Sequence, residues 1–555
     1  MREAQTTVKK IRWAVFLPPW LLLIALLVLN LTNYDTFILV MDKITKWILT
    51  NFSWLFNSVT FIAVAVIVIS YITPIKNVRF GGSKCRPMMK YTNYIWIILC
   101  TILAAGILLW ACAEPMYHLY APPVNVAGGP GSGDAVVWAM QTVLLEWTFS
   151  PMAIYALPAL LFAFVFYNMK QKFAISSMLA PTIGTKRAEK ITPVVDSVCL
   201  FALCAGMAAS LGSGVLLLGG GLESLSGGGI QSSAGVWLVC GIVIIVAFVV
   251  SAASGVMNGI RILSTVNSRI YMIMGAFVFL AGPTAYLLDF MVESAGLFLN
   301  DFLKLSLWTS TSYGDGWSQN WPTFYWCCML AWMPVSAVFI GRMSKGYSVK
   351  ETIEVIFFFP SVFSFIWLVI FSGTAINFEL AGYGVNEAMV NSGTAAATYA
   401  VFERLPLQII MIPLFLLIVF VSFVTAADSN TNAMSGLCTE GLTVDDTESP
   451  VILKIVWGLT IGALCIIMLV AFDVEGLKKL SNLGGFPSAF LMIFCIVGWI
   501  KIMRNPKKYD LNKMDYEEDG RPIKSERLLE ENYDPDKKSF LEKIFGKRSK
   551  TGEKD

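Results

Sequence analysis

Apolar residues in this chain come in long runs set apart by polar segments. A hydrocarbon core of about 30 Å takes about 20 such residues to cross as a helix. Twelve stretches meet that length, roughly 13–32, 51–73, 92–112, 138–168, 194–221, 234–257, 270–290, 321–341, 352–375, 406–427, 451–472 and 481–501. Glu146 and Pro151 interrupt the fourth. The pattern predicts an all-α polytopic membrane protein with twelve transmembrane helices. Two stretches read differently. Glu293–Ser310 sets acids among apolar residues at helical spacing, which predicts an amphipathic helix on the outer surface, and Asn386–Leu405 is a weaker example. Asp445–Glu448 is a short acidic turn.

Composition sharpens the picture. Of 555 residues, 56 % are hydrophobic and 14 % charged, and mean hydropathy is +0.66; soluble proteins carry about a quarter charged residues. Residues 502–555 hold 14 Lys/Arg and 13 Asp/Glu and read as a solvated tail. This distribution excludes a soluble enzyme, a nucleic-acid binder and a disordered scaffold. One histidine, His118, argues against haem, di-histidine metal sites and multi-histidine relays. The eleven cysteines lie mostly in apolar runs without CxxC spacing and read as buried small residues. No metal or cofactor is expected. With the N-terminus inside, inner segments up to Lys454 hold 20 Lys/Arg and outer ones six, Lys43, Lys46, Lys304, Arg404, Lys478 and Lys479. Both termini are therefore expected in the cytoplasm.

Polar groups inside a membrane mark a pathway or an internal pair. Glu146 stands among Leu144, Leu145, Trp147 and Phe149, and either role is open to it. Asp196 opens the fifth span, Arg261 follows the sixth, and Asp428 ends the tenth; Asp196 and Asp428 also suit the interface. Helix-weakening residues occur in the third span (Ala104-Ala105-Gly106, Glu114-Pro115) and the eighth (Trp332-Met333-Pro334). Breaks at matching positions in two halves point to a transporter's central site. Spans 3–7 and 8–12 then form two five-helix repeats of opposite orientation. Gly206, Ala208, Ala209, Gly212 and Gly214 would let the fifth span pack closely. Gly219–Gly221 and Gly227–Gly229 read as loop ends.

Several motifs carry a family resemblance. GILLWACAEPMYHLYAPP in the third span resembles the Glu-Pro motif of the betaine/carnitine/choline transporter family. EWTFSPMAIY resembles its first aromatic segment. NWPTFYWCCMLAWMPVSAVFIGRMSKGYSVKE resembles its Trp-rich helix and the loop that follows, with Arg342, Ser344, Lys345, Gly346, Lys350 and Glu351 fitting the ending. VTAADSNT resembles its tenth-span motif. The likeness runs from about Trp13 to Lys501. It implies a LeuT-like fold of five plus five helices in inverted repeat, preceded by two extra helices, and alternating access. It also implies trimeric assembly through the outer helix and substrates with a quaternary ammonium head. Domains follow as an N-terminus 1–12, two peripheral helices 13–91, a first repeat 92–290, an outer amphipathic helix 291–320, a second repeat 321–501 and a charged tail 502–555.

Trimethylammonium donates no ordinary N–H hydrogen bond, so aromatic faces hold it by cation–π attraction, about 0.5–2 kcal/mol each. By the resemblance, Trp147 and Tyr155 match two aromatic-box positions, and Trp332 matches the ring nearest the proline. Met152 replaces a family Trp, Cys328 and Met329 replace the upstream pair, and Trp326 is kept. At least three box rings are missing, which predicts a wider, softer pocket, unless these are ordinary packing changes. Glu146 replaces a common His and would favour a cationic substrate over a zwitterion, unless it turns away to a neighbour. For coupling, Thr425-Ala426 loses one hydroxyl, Ser210 survives while Gly206 and Met207 offer none, and Arg261 aligns with an arginine of sodium-independent antiporters; Asp428 is the remaining candidate. The expectation is a secondary transporter of onium or methylated amines in the cytoplasmic membrane, in contact with lipid, working by sodium-independent exchange. The alternatives are a sodium- or proton-coupled symporter and a transporter-like sensor. A membrane enzyme is disfavoured because His clusters, a GxSxG elbow and nucleotide motifs are missing.

Overall fold

The computed structural model describes residues 10–103, 106–254, 257–440 and 449–523. In chain order the helices are α1 (Trp13–Thr32), α2 (Tyr34–Ile72), α3 (Tyr91–Leu103), α4 (Gly106–Tyr120), α5 (Gly133–Trp147), α6 (Phe149–Ala163), α7 (Ala180–Ile183), α8 (Thr185–Lys190), α9 (Thr192–Leu225), α10 (Ala234–Ser254) and α11 (Met257–Ala281). There follow α12 (Thr284–Leu307), α13 (Trp317–Asn320), α14 (Pro322–Met343), α15 (Val349–Ile353), α16 (Phe359–Leu380), α17 (Val385–Ser392), α18 (Ala396–Arg404), α19 (Gln408–Leu437), α20 (Val451–Phe472), α21 (Val474–Arg504) and α22 (Pro506–Tyr509). Among the described residues nine helices are long and apolar enough to cross a membrane, or eleven if each of two bent pairs is one crossing. The third expected span falls on α3 and α4, of 13 and 15 residues, on either side of residues 104–105.

The seventh span differs from expectation. Instead of running over 270–290, α11 stops at Ala281, and the chain turns by 108° into α12. Pro283 has no N–H to donate back and disfavours a helical Gly282 before it. The apolar residues from Tyr286 onward therefore belong to α12, which takes the place of the expected amphipathic helix and starts at Thr284 rather than Glu293. In the eighth span the expected break is present, since α14 bends by 54° between Pro334 and Ser336.

The central packing joins α14 to α21 and α6, and α21 to α9. Glycine makes this contact possible. A Cβ on Gly485 would stand 2.1 Å from the Cys327 carbonyl oxygen, and one on Gly484 2.7 Å from that of Ala202. Gly219–Gly221 are not loop ends: they lie inside α9, where Gly220 and Gly221 make room for Tyr399 and Leu416. Gly227 and Gly228 do form a turn, at φ +60° and +86°.

Two terminal segments seal one end of the bundle. Lys10–Ile11 pairs antiparallel with Thr439–Glu440, and Arg12 reaches Asp196 at 2.9 Å and the Leu437 carbonyl at 2.7 Å. Asp196, near the start of α9, is thus a buried ion-pair partner of Arg12. The tail is not all solvated. Asp510 is buried and accepts from Asn168 (2.7 Å) and Tyr516 (2.7 Å), and Ser83 donates to Asp515. Burial, with Asp510 beside it, pushes the Tyr516 phenol well above its ordinary range. The acidic turn 445–448 and the tail from 524 lie outside the described residues.

Candidate functional site

The broken helices converge on a cavity of about 80 Å³ in the middle of the bundle. Each wall presents one helical face. On α14, Tyr325, Cys328, Met329, Trp332 and Ser336 recur at spacings of three and four, which stacks them along one side. From α9 come Ala209, Ser210 and Ser213, from α19 Ala426, and from α21 Leu477, Lys478 and Ser481. Trp147 ends α5 and Tyr155 lies on α6; between the helices Thr148 leaves helical geometry, at φ −111° and ψ −114°.

Trp147 is held on three sides. A Cβ on Gly106 would lie 2.6 Å from its ring, so only glycine admits the indole there. Tyr325 meets it edge-on at 5.5 Å, and its N–H donates to Glu114 Oε2 at 2.8 Å. Tyr325 donates its hydroxyl to that same oxygen. Tyr155 donates to the Met329 sulfur at 2.9 Å. Two wall rings are therefore fixed by one buried carboxylate, and a third by a thioether.

Trp147, Tyr155, Trp332, Cys328, Met329 and Ser210, all named from sequence, line this cavity. The other expected residues face elsewhere. Met152 and Trp326 are buried but outside the lining. Glu146 does not touch the cavity; it turns to His118, at 4.0 Å, and to Glu114. These three groups bring polar atoms within 4.8 Å of one another in full burial. Thr425 directs its hydroxyl at the carbonyls of Val421 (2.8 Å) and Ser422 (3.1 Å). Asp428 does not end its helix, because α19 continues to Leu437; it is buried, with Asn432 donating to it at 3.2 Å and Ser251 at 3.5 Å. Arg261 lies in α11, and its side chain is outside the described residues.

Sequence reasoning missed Trp110, Phe324, Tyr325 and Lys478. Trp110, Phe324 and Tyr325 add three rings to the cavity lining. Lys478 matters most. Its ammonium lies 4.6 Å from the Trp321 ring centre, 5.5 Å from Phe324 and 5.9 Å from Trp110, and it pairs with Glu475 at 3.0 Å. Sequence position gave no signal, because Lys478 precedes the expected twelfth span, and only the start of α21 at Val474 brings it one turn into the helix.

A sequence profile described as betaine/carnitine/choline family transporter matches residues 14–508. The chain belongs to this family. It is similar to an ectoine/hydroxyectoine transporter of Virgibacillus pantothenticus, 28 % identical over 87 % of this chain and 95 % of that one. It is also similar to a probable glycine betaine transporter of Desulfitobacterium hafniense (28 %, 89 % and 94 %). An osmo-independent choline transporter of Acinetobacter baylyi is 25 % identical over 82 % and 86 %. As a family member the chain is a multi-pass membrane transporter, not an enzyme. Its relatives carry betaine-, ectoine- and choline-type solutes.

Proposed function

We propose that this transporter carries an onium carboxylate, a zwitterion of the glycine betaine or ectoine type. Lys478 carries the reading. It is a fixed ammonium in the wall of a cavity whose rings Trp147, Tyr155 and Trp332 suit an onium head. A carboxylate on the same substrate gains a charge-assisted partner there, whereas choline gains only a like charge. The cationic preference expected from Glu146 lapses, because that carboxyl does not reach the cavity. Both relatives of 28 % identity are named for zwitterions, which supports the choice.

Transport is proposed to be sodium-independent exchange across the cytoplasmic membrane, with both termini inside. Ala426 brings a methyl to the cavity wall where the family motif has a hydroxyl, and Thr425 spends its own within the helix. Calorimetry with glycine betaine and choline tests the substrate. Lys478→Met is expected to weaken glycine betaine binding by about tenfold or more, the range of a charge-assisted bond, and to leave choline binding equal or tighter. Equal losses for both would refute the carboxylate role. Uptake into proteoliposomes should proceed without sodium; a strict need for a sodium gradient would refute the coupling.

A further inference from the structure

Behind the cavity, Glu114 and His118 stand one turn apart on α4, and Glu146 faces them from the last turn of α5. All three side chains are fully buried. His118 Nε2 lies 3.5 Å from Glu114 Oε1 and 4.0 Å from Glu146 Oε2. Among the described residues, neither oxygen of Glu146, nor Glu114 Oε1, nor either His118 nitrogen has a hydrogen-bond partner outside this cluster. The charges that reach Glu146 are those of Glu114 and Lys478. Tyr325 from α14 faces Glu114, and the rings of Trp317 and Trp321 cover His118 at 5.2 and 4.5 Å.

We propose that Glu146 is a proton-binding site that sets the shape of the substrate cavity, with the proton held by its carboxyl and shared towards Glu114. Two facing carboxylates in a dry interior cannot both stay ionised without a compensating charge. The geometry says which one takes the proton. Glu114 Oε2 accepts from both Trp147 and Tyr325, bonds that stabilise a carboxylate, whereas among the described residues no donor from outside the cluster serves Glu146. A proton on Glu146 adds a donor to the one N–H that a neutral His118 supplies to the cluster. His118 lies four residues from Glu114 towards the outer end of α4, the position for a relay.

The consequence for the cavity rests on the substrate reading above. When Glu146 loses its proton, its charge opposes that of Glu114, the acceptor that fixes Trp147 and Tyr325. Glu114 must then move or take a proton from elsewhere, and either change loosens both rings. Substrate therefore binds best to the protonated cluster, and binding above the titration range takes up a proton from solution. A zwitterion is the right probe, because its two charges largely cancel the direct field of an ionised Glu146.

Two measurements decide the matter. Infrared difference spectra of the substrate-free protein, titrated by pH, should show the carbonyl stretch of a protonated carboxylic acid that bleaches as pH rises. The band should be missing in Glu146→Gln. Its persistence in that variant overturns the assignment. Calorimetry with glycine betaine should then show affinity falling up to tenfold per pH unit above the titration, with up to one proton taken up per substrate in the wild-type protein, read by a pH-indicator dye. Glu146→Gln should bind with an affinity that does not change with pH. The same pH slope in wild type and Glu146→Gln overturns the proposal, as does a slope abolished only by His118→Asn. Binding lost in EDTA and restored by zinc would replace the proton by a metal ion and also overturn it. If glycine betaine fails to bind at every pH, the substrate reading fails, while the infrared band still decides the proton site.

Discussion

Trp332 shows how much one residue can set. Its ring edge lies 3.2 Å from where a Cβ on Gly206 would stand, so α9 and α14 close on it, and it lines the cavity while only half-buried. Trp332→Leu removes the π face and part of the bulk on which α9 and α14 close. At about 0.5–2 kcal/mol for a cation–π contact, onium binding should weaken between about twofold and thirtyfold by calorimetry, with a lowered melting temperature from the space left between the helices. Unaltered affinity would place the ammonium elsewhere. Of the residues named from sequence, Trp147, Tyr155, Cys328, Met329 and Trp332 do share one cavity. Met152 and Trp326 belong to the same motifs but point away. A helix turns about 100° per residue, so a linear motif spans several faces and only part of it can meet a central hollow.

Among elements, α14 and α21 meet too closely for a side chain at Gly485. The Cβ position of Gly485 falls on backbone atoms of Cys327, which cannot rotate away. Gly485→Ala is expected to cost about 1–3 kcal/mol, the range for overpacking, and to lower the melting temperature in detergent. Gly296 is the control. It lies in α12 with open space around its missing Cβ, so Gly296→Ala should hold or raise the melting temperature, as expected for glycine in a helix interior. Lowered stability in both variants would show that neighbouring molecules crowd α12. Sequence composition did show that the fifth span was built for close approach. It did not show that Gly219–Gly221 continue the helix, because a glycine triplet has the same local propensity in a loop as in a groove filled by Tyr399.

At the scale of the molecule, the N-terminal strand and the docked tail tie distant segments together at one end. Arg12 neutralises Asp196 across 184 positions, and removing it strands a buried carboxylate. Arg12→Ala should destabilise the protein by about 3 kcal/mol, the lower part of the range for a broken buried pair, since the guanidinium is 18 % exposed. Arg12→Ala with Asp196→Asn should recover much of that loss, as read by thermal unfolding. No recovery would mean that Arg12 acts through the Leu437 carbonyl alone.

Hydropathy is a local, additive property, so the chain's order of residues already determined a helical membrane protein, most span positions and the bias of basic residues between loops. Motif spacing likewise brought the family and several cavity rings into view. Direction and distance between remote side chains are not additive along a chain. Only the tertiary structure turned Glu146 from the cavity to His118 and Glu114 and brought Lys478 from an expected outer segment onto Trp321, because each outcome depends on which helix packs opposite.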